Sequence, residues 1–485
     1  MRLIDPARRG ALGALLAASL LSACSLMPKP APELDLPAVS ATTPVELDRW
    51  WESFRDPVLD GLIAEALVRN DDMVIAAQRV QASQATLDLV RINRLPDANL
   101  SLSGSRQQFR NERPIPNRPR QYNTVIGGFN ASYELDLFGR LSGQRDVARQ
   151  QLASSRYALE ALRASISAQV ARAYFNLRAL DADEALLTQT LNTRESALSL
   201  RDRQFAGGAI SRYDLELARS ERAGVAASLA STRSAREQAE TALSVLLGRS
   251  PRELVEKMPD RGLALSTLAV QPEIPSGLTS DLLVRRADVR AAEANLAAAS
   301  LSVEVARTQW MPTISLTAAL GGESATLGNL LSASARTWSV GAAIAQPLVG
   351  LISTRALVAQ TEAERAQIAQ TYQQAARQAY ADALGALSAA RGAREAMEET
   401  VKLADATRGA RDLAELSFNA GNASRIVLLD AERERLSAER QLIASRLDRV
   451  TALVNTYQAL GGGWSGRIET GGPAETLENT PTAAR

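Results

Sequence analysis

The sequence predicts a mainly α chain with a membrane β part, folded as two related halves, and three observations carry that expectation. FAGGAISRYDLELA, beginning at Phe205, is matched by FNAGNASRIVLLDA, beginning at Phe418, an offset of 213 positions (418 less 205) that keeps the Phe, one Gly, the Ser-Arg pair, a Leu and the final Ala in register. Two Pro-free runs of three-and-four apolar spacing are far longer than helices of ordinary domains. Short runs with a period of two follow Pro96 and Pro312, one set in each half. A repeat of this length is the first organising fact of the chain.

Taken in order, residues 27–43 are rich in Pro and Ala, the composition of a tether. A first helix is expected over 57–95, stopped by Pro96, with a counterpart over 280–311 stopped by Pro312. The alternating stretches NLSLSGS and TISLTAAL open two strand pairs, whose second members are expected over 125–135 and 337–348. Between the first two strands, residues 110–120 are basic and Pro-rich, fitting a solvent-facing loop. Four strands are too few to close a membrane barrel, which needs about eight.

Amphipathic helices follow over 141–206 and 353–418, each of about 65 residues and so roughly 100 Å long. Each reaches a Gly-containing turn, Gly207-Gly208 or Gly421-Asn422, and returns as a shorter helix to Leu247 or Leu460. Ser211 and Ser424 are placed to cap the returning helices. Helices of this length ask for coiled-coil neighbours outside the chain.

Composition narrows the function classes. Fifty-five basic residues against fifty-four acidic ones give no footprint for nucleic acid. The absence of His and a single Cys remove zinc clusters, a His general base and nucleophilic triads from the inventory, and no phosphate loop or paired-acid motif is present. No enzyme, metal or soluble cofactor is expected. The lone Cys24 follows Leu-Ser-Ala and an apolar run behind Arg2, Arg8 and Arg9, which describes an export signal too short to span a bilayer. Leu-Ser-Ala-Cys resembles the bacterial lipobox, implying a covalent lipid on Cys24, and Ser25 in place of Asp favours the outer membrane.

Six segments in sequence order then carry a wider resemblance: RWWESFRDPVLDGLIAEAL, YELDLFGR, IPSGLTSDLLVRRADVRAAEANL, AQPL, LLDAERE and ALGGGW. The chain resembles the TolC-like outer-membrane efflux proteins, in their NodT and OprM branch of lipoproteins serving resistance-nodulation-division pumps. Ala287 stands where that family has Pro in its RRPD segment. The resemblance implies a homotrimer, three chains sharing a barrel of about twelve strands continuous with a coiled-coil periplasmic tube. The expected organisation is a lipoprotein signal peptide over 1–23, an anchor and linker over 24–56, a first repeat over 57–248, an equatorial segment over 249–279, a second repeat over 280–463, and an equatorial segment with a disordered tail over 464–485.

It also implies a function: a passive outer-membrane exit duct for small toxic compounds, completed by a periplasmic adaptor and an inner-membrane pump. Matched onto the family's constriction, Asp430 falls at a ring of three carboxylates, with Ile426 one turn earlier as an apolar ring. Asp214 falls at an acid of the family's gate links, whose Tyr and Arg positions are here Phe418 and Ala423, leaving Arg212 and Arg425 as the basic candidates. The turns at Gly207, Gly208, Gly421 and Asn422 are the expected adaptor contacts. A type I protein-secretion duct and a non-conducting periplasm-spanning scaffold remain the alternatives.

Overall fold

The computed structural model describes residues 47–108, 121–267, 285–347 and 350–464. The expected signal peptide, Cys24, the tether, the basic 110–120 loop, residues 268–284 and the tail lie outside the described residues. What is described falls into two compact units, one within Gln81–Ser154 and Ala292–Tyr372, the other within Asp35–Val80, Ser155–Ala291 and Gln373–Arg485. Each unit draws on both sequence halves.

The first unit holds a four-stranded antiparallel sheet of β1 (Asp97–Gln108), β2 (Gln121–Leu135), β3 (Thr313–Ser324) and β4 (Arg336–Ala345), ordered β1-β2-β3-β4. The two expected strand pairs are thus one sheet, joined where Phe129 of β2 lies opposite Leu320 of β3. Residues directly opposite share a face. The register therefore gathers Leu100, Phe129, Leu320 and Trp338 in one row, with Ala131, Ala318 and Val340 in the next and Leu135, Ile314 and Ile344 beyond. The other face carries Ser101, Asn130, Ser132, Glu134, Ser315 and Thr317. One face is apolar, the other polar. Leu100 and Trp338 on the apolar face are 84% and 77% exposed in the chain.

Around the sheet, β2 passes into a long helix through the YELDLFGR motif, and each charged residue of that motif has a task. Asp136 accepts from the backbone N–H groups of Leu141 (3.0 Å) and Ser142 (2.7 Å), taking up helix-start donors that would otherwise be unpaired. Arg140 grips Glu134 with contacts of 2.7 to 3.1 Å. At the corresponding end of the second half, Gln346 of the AQPL motif donates to the carbonyl of Trp310 at 2.5 Å.

The first helix expected over 57–95 is two helices, α1 (Pro57–Arg69) and α2 (Asp71–Ile92). Asn70 breaks it. Its backbone is extended, its amide donates to the Leu246 carbonyl at 2.8 Å, and its side-chain oxygen accepts from the N–H groups of Asp72 and Met73. This is N-cap chemistry for α2, reinforced by acids in the first turn. Among the described residues four further helices extend the chain: α3 (Arg140–Ala206), α4 (Arg212–Leu246), the short α5 (Pro251–Glu256) and α6 (Ala287–Thr308). Ala287 is thus the first residue of α6, a position where Pro and Ala are both accommodated. The last two, α7 (Gly350–Asn419) and α8 (Arg425–Ala459), repeat α3 and α4.

Burial in the second unit centres on the aromatic residues of the RWWESF segment. Phe54 meets Phe175 with ring centroids 4.9 Å apart, Trp50 stacks on Tyr457 at 5.4 Å, and Leu59, Ile63, Leu177, Leu243, Leu247 and Leu453 close around them. Each fully buried Leu or Phe contributes about 1.5–3 kcal/mol, so this cluster anchors α1 to both hairpins. At its centre lies a buried polar node. Asp56, the N-cap of α1, accepts from the N–H of Val58, the hydroxyl of Tyr174 (2.5 Å) and the N–H of Leu263, while Gly262 N–H donates to the same tyrosine oxygen. Burial, with the Asp56 bond behind it, pushes the Tyr174 hydroxyl well above its ordinary pKa. The stretch around Gly262 is thereby tied to the middle of α3.

Candidate functional site

The two hairpin tips are built alike, bond for bond. At the first, the N–H groups of Gly207, Gly208 and Ala209 donate to the carbonyls of Arg203, Phe205 and Gln204; at the second, those of Ala420, Gly421 and Asn422 donate to Leu416, Phe418 and Ser417. Gly208 and Gly421 have φ of 75° and 76°, the left-handed region where a Cβ is strained. Gly207 has no such requirement, and its structural equivalent is Ala420.

The returning helices start on matched serines but differ one turn in. Ser211 accepts from Asp214 N–H, and the Asp214 carboxylate accepts in turn from the backbone N–H (3.2 Å) and hydroxyl (2.6 Å) of Ser211, a complete capping box. Those bonds, the hydroxyl first, hold Asp214 below its ordinary pKa of 3.8. Ser424 caps α8 through Val427 N–H, and Val427 has no acid to return the bond. The predicted gate residues are not brought together within the chain. Arg212 lies 3.8 Å from Glu216, and Arg425 lies over the Phe418 ring at 5.8 Å. Losing its Tyr hydroxyl, position 418 instead offers an aromatic face to a cation.

On α8, Leu428 and Leu429 are buried while Ile426 is 64% exposed and the Asp430 side chain 61%. Ile426 and Asp430, four residues apart, therefore share the face turned away from the chain's own packing. The Asp430 carboxylate is 3.2 Å from Arg433, one turn on.

Behind that face runs an ionic network that sequence reasoning missed. Arg194 of α3 contacts Glu221 of α4 at 3.4 Å and also pairs with Glu432 of α8, and Arg433 reaches the same Glu221 at 3.3 Å. Further along, Arg440 of α8 grips Asp183 of α3 at 2.7 and 3.0 Å, and Thr232 of α4 donates to the same carboxylate. Both hairpins are tied by these bridges. The signal lay in the periodicity: Leu187, Thr190 and Arg194 fall at spacings of three and four and are all buried, so an Arg on the apolar stripe required carboxylates opposite it.

Among the described residues no group of three or more His, Cys, Asp or Glu side chains converges as a metal site, and no helix is long and apolar enough to cross a membrane. The family model described as outer membrane efflux protein matches residues 62–249 and 278–462. The chain belongs to the outer membrane efflux protein family. Among its relatives, the antibiotic efflux pump outer membrane protein ArpC of Pseudomonas putida is 31% identical over 463 residues, covering 92% of this chain and 94% of the relative. The solved outer-membrane channel OprN aligns with a TM-score of 0.80 and 29% identity, over 91% of this chain and all of that one. The open state of the Neisseria gonorrhoeae MtrE outer membrane channel aligns with a TM-score of 0.79 and 28% identity, over 91% and 99%.

This efflux protein is accordingly an outer-membrane exit duct of a Gram-negative cell that extends into the periplasm, with the membrane β part and long helical hairpins of TolC-like channels. Its sheet is the membrane β part.

Proposed function

We propose that three copies of this efflux protein close a barrel of about twelve strands and form a passive duct that a periplasmic adaptor joins to an inner-membrane pump of the resistance-nodulation-division type, for export of drugs or other small toxic compounds. The observation that carries this reading is the sheet: apolar and exposed on one face, polar on the other, and only four strands wide. An open sheet edge cannot stand in hydrocarbon, so its neighbours come from other copies. Helices of 67 and 70 residues leave the same need for partners.

At the narrow end, three Asp430 side chains give the mouth a preference for cations and three Ile426 side chains limit its width. Their exposure on the face that the chain itself leaves unpacked supports this assignment. Asp214 acts first in the capping box of α4, closing back onto Ser211, and a gate link to Arg212 or Arg425 of a neighbouring copy forms in competition with that box. The turns at Gly207, Gly208, Gly421 and Asn422 meet the adaptor, their small side chains admitting another hairpin closely. Cys24 carries the lipid that holds the N-terminus at the outer membrane.

Single-channel recording of the purified protein in planar bilayers tests the reading. Discrete, cation-selective steps are expected, from a particle whose mass by light scattering is three chains. A monomer, or an inserted trimer that stays silent even with its adaptor present, overturns it.

A further inference from the structure

The loop joining β3 to β4 does not project from the sheet; it folds back onto the apolar face. In the row formed by Leu102, Gly127, Gly322 and Arg336, the large apolar residues of the neighbouring rows give way to two glycines. Leu330 from the loop occupies that bare spot. A Cβ on Gly127 would lie 2.9 Å from the Leu330 side chain and 3.0 Å from Leu102, and one on Gly322 would lie 2.3 Å from the Leu330 carbonyl. The glycines make room for the loop.

What the loop shows to its surroundings is unusual for a polar connection. SATLGNLLSASA, residues 324–335, has no charged residue between Glu323 and Arg336. Leu327 is 63% exposed and Leu331 91%, although Leu330 beside them is packed. Two short 3-10 turns, Leu327–Asn329 and Ala333–Ala335, pair the N–H groups of Asn329, Leu330, Ser332 and Ala335 with carbonyls three residues back. Internal pairing of backbone groups is what a segment needs if water is scarce around it.

We propose that this loop is a lipid anchor: Leu327 and Leu331 insert among the outer-leaflet acyl chains at the rim of the barrel, extending its apolar band past Trp338 where the strands themselves turn to Gly and Arg. The inference rests on the reading of the apolar face as the lipid-facing one. The loop's continuity with that face, through Leu330, singles out lipid as its occupant. An uncharged loop that leaves a whole leucine in water would gain nothing from folding flat, whereas each leucine transferred into hydrocarbon contributes to membrane retention.

The test places one cysteine, Leu331→Cys or Val340→Cys, in the full lipidated chain, where the sulfur of Cys24, the chain's one native cysteine, is taken up by the lipid and the label meets a single thiol. Each variant is labelled with a polarity-sensitive fluorophore and reconstituted as the full chain in phosphatidylcholine–phosphatidylglycerol vesicles carrying spin-labelled lipids with the quencher near the headgroup or deep in the acyl chain. The expected result is blue-shifted emission at both sites, with Leu331→Cys quenched more by the shallow label and Val340→Cys more by the deep one. Quenching at Val340→Cys but water-like, unquenched emission at Leu331→Cys overturns the anchor and leaves the membrane sheet intact. If neither site is quenched, the lipid-facing assignment of the sheet falls, and the anchor with it.

Discussion

Arg194 on α3 and Glu432 on α8 form a pair whose side chains are only 9% and 16% exposed, tying the first hairpin to the second near their tips. Breaking such a pair by removing one partner is far more costly than its net worth, because the remaining carboxylates stay buried without compensation. Arg194→Ala leaves Glu432 in that state and Glu221 with Arg433 alone. The expected loss is about 3 kcal/mol, seen as faster amide exchange in α4 and α8 with unchanged exchange in the strands. Uniform protection in the variant would remove the network from the forces that hold the hairpins together.

Tyr174 and Asp56 should behave similarly at the other polar node. In Tyr174→Phe the fully buried Asp56 keeps its two backbone donors and loses its shortest bond. Hydrogen bonds to charged groups contribute about 1.5–3 kcal/mol, and thermal unfolding of the variant should show a loss in that range. The segment around Gly262 should become accessible to protease before the hairpins do.

Acid should act first on the contacts between α1 and the segment after α4. The Arg69 guanidinium, with help from Ser250, holds Glu253 down to about 2, and the Arg249 bond holds Glu65 below its ordinary 4.5. A carboxylate depressed on folding stabilises above its unfolded pKa, and that contribution is lost as pH falls through the folded value. Exchange protection of α5 and of the C-terminal turn of α1 should therefore hold above about 4.5 and decline from there towards about 2. Loss beginning on the alkaline side would contradict the assignment.

Much of this was legible in the sequence because long elements announce themselves. The repeat fixed four hairpin helices to within a few residues, since three-and-four spacing over sixty residues admits no competing period. Asn70 was not read as a break, though Asn followed by two acids is an N-cap signal; the apolar spacing ran through it, and its deciding bond to Leu246 spans 176 positions. Pairing of β2 with β3 was likewise hidden, because it joins strands from different halves and no turn specifies it. At the candidate site, Ile426 and Asp430 are singled out by position in a motif, to which the structure adds their shared exposure on one face of α8. Arg433, which sits against Asp430, is not, because an exposed Arg one turn along a charged helix looks like any other.

Turn chemistry and adaptor recognition can be separated at the first tip. Gly208 and Gly421 need positive φ, and replacing either by Ala should cost about 1 kcal/mol locally through left-handed strain. Gly207→Ala should leave the fold unchanged, because Ala420 already occupies the equivalent position of the second tip. A Gly207→Ala protein with normal stability but weakened binding to its adaptor would assign this position to recognition; equal binding would confine it to the turn.

Arg433 bears on the proposed filter as directly as Asp430 does. Its guanidinium lies 3.2 Å from the Asp430 carboxylate, and both side chains are more than half exposed, so the proposed ring of three acids carries three counter-charges at its edge. Exposed pairs are weak, about 0.2–1 kcal/mol each, yet the net field at the mouth depends on both members. Asp430→Ala should lower cation selectivity in reversal-potential measurements and leave Arg433 facing the ion path. Arg433→Ala should raise selectivity above wild type, because it unmasks the carboxylate; its bond to Glu221 is lost too, but Arg194 still holds that acid. The double variant should return close to the value of Asp430→Ala made with Arg433→Lys, which keeps the charge without the planar fork, only if charge is irrelevant. A clear difference between those two, with the double variant the more cation-permeable, would show that the pair sets the field together.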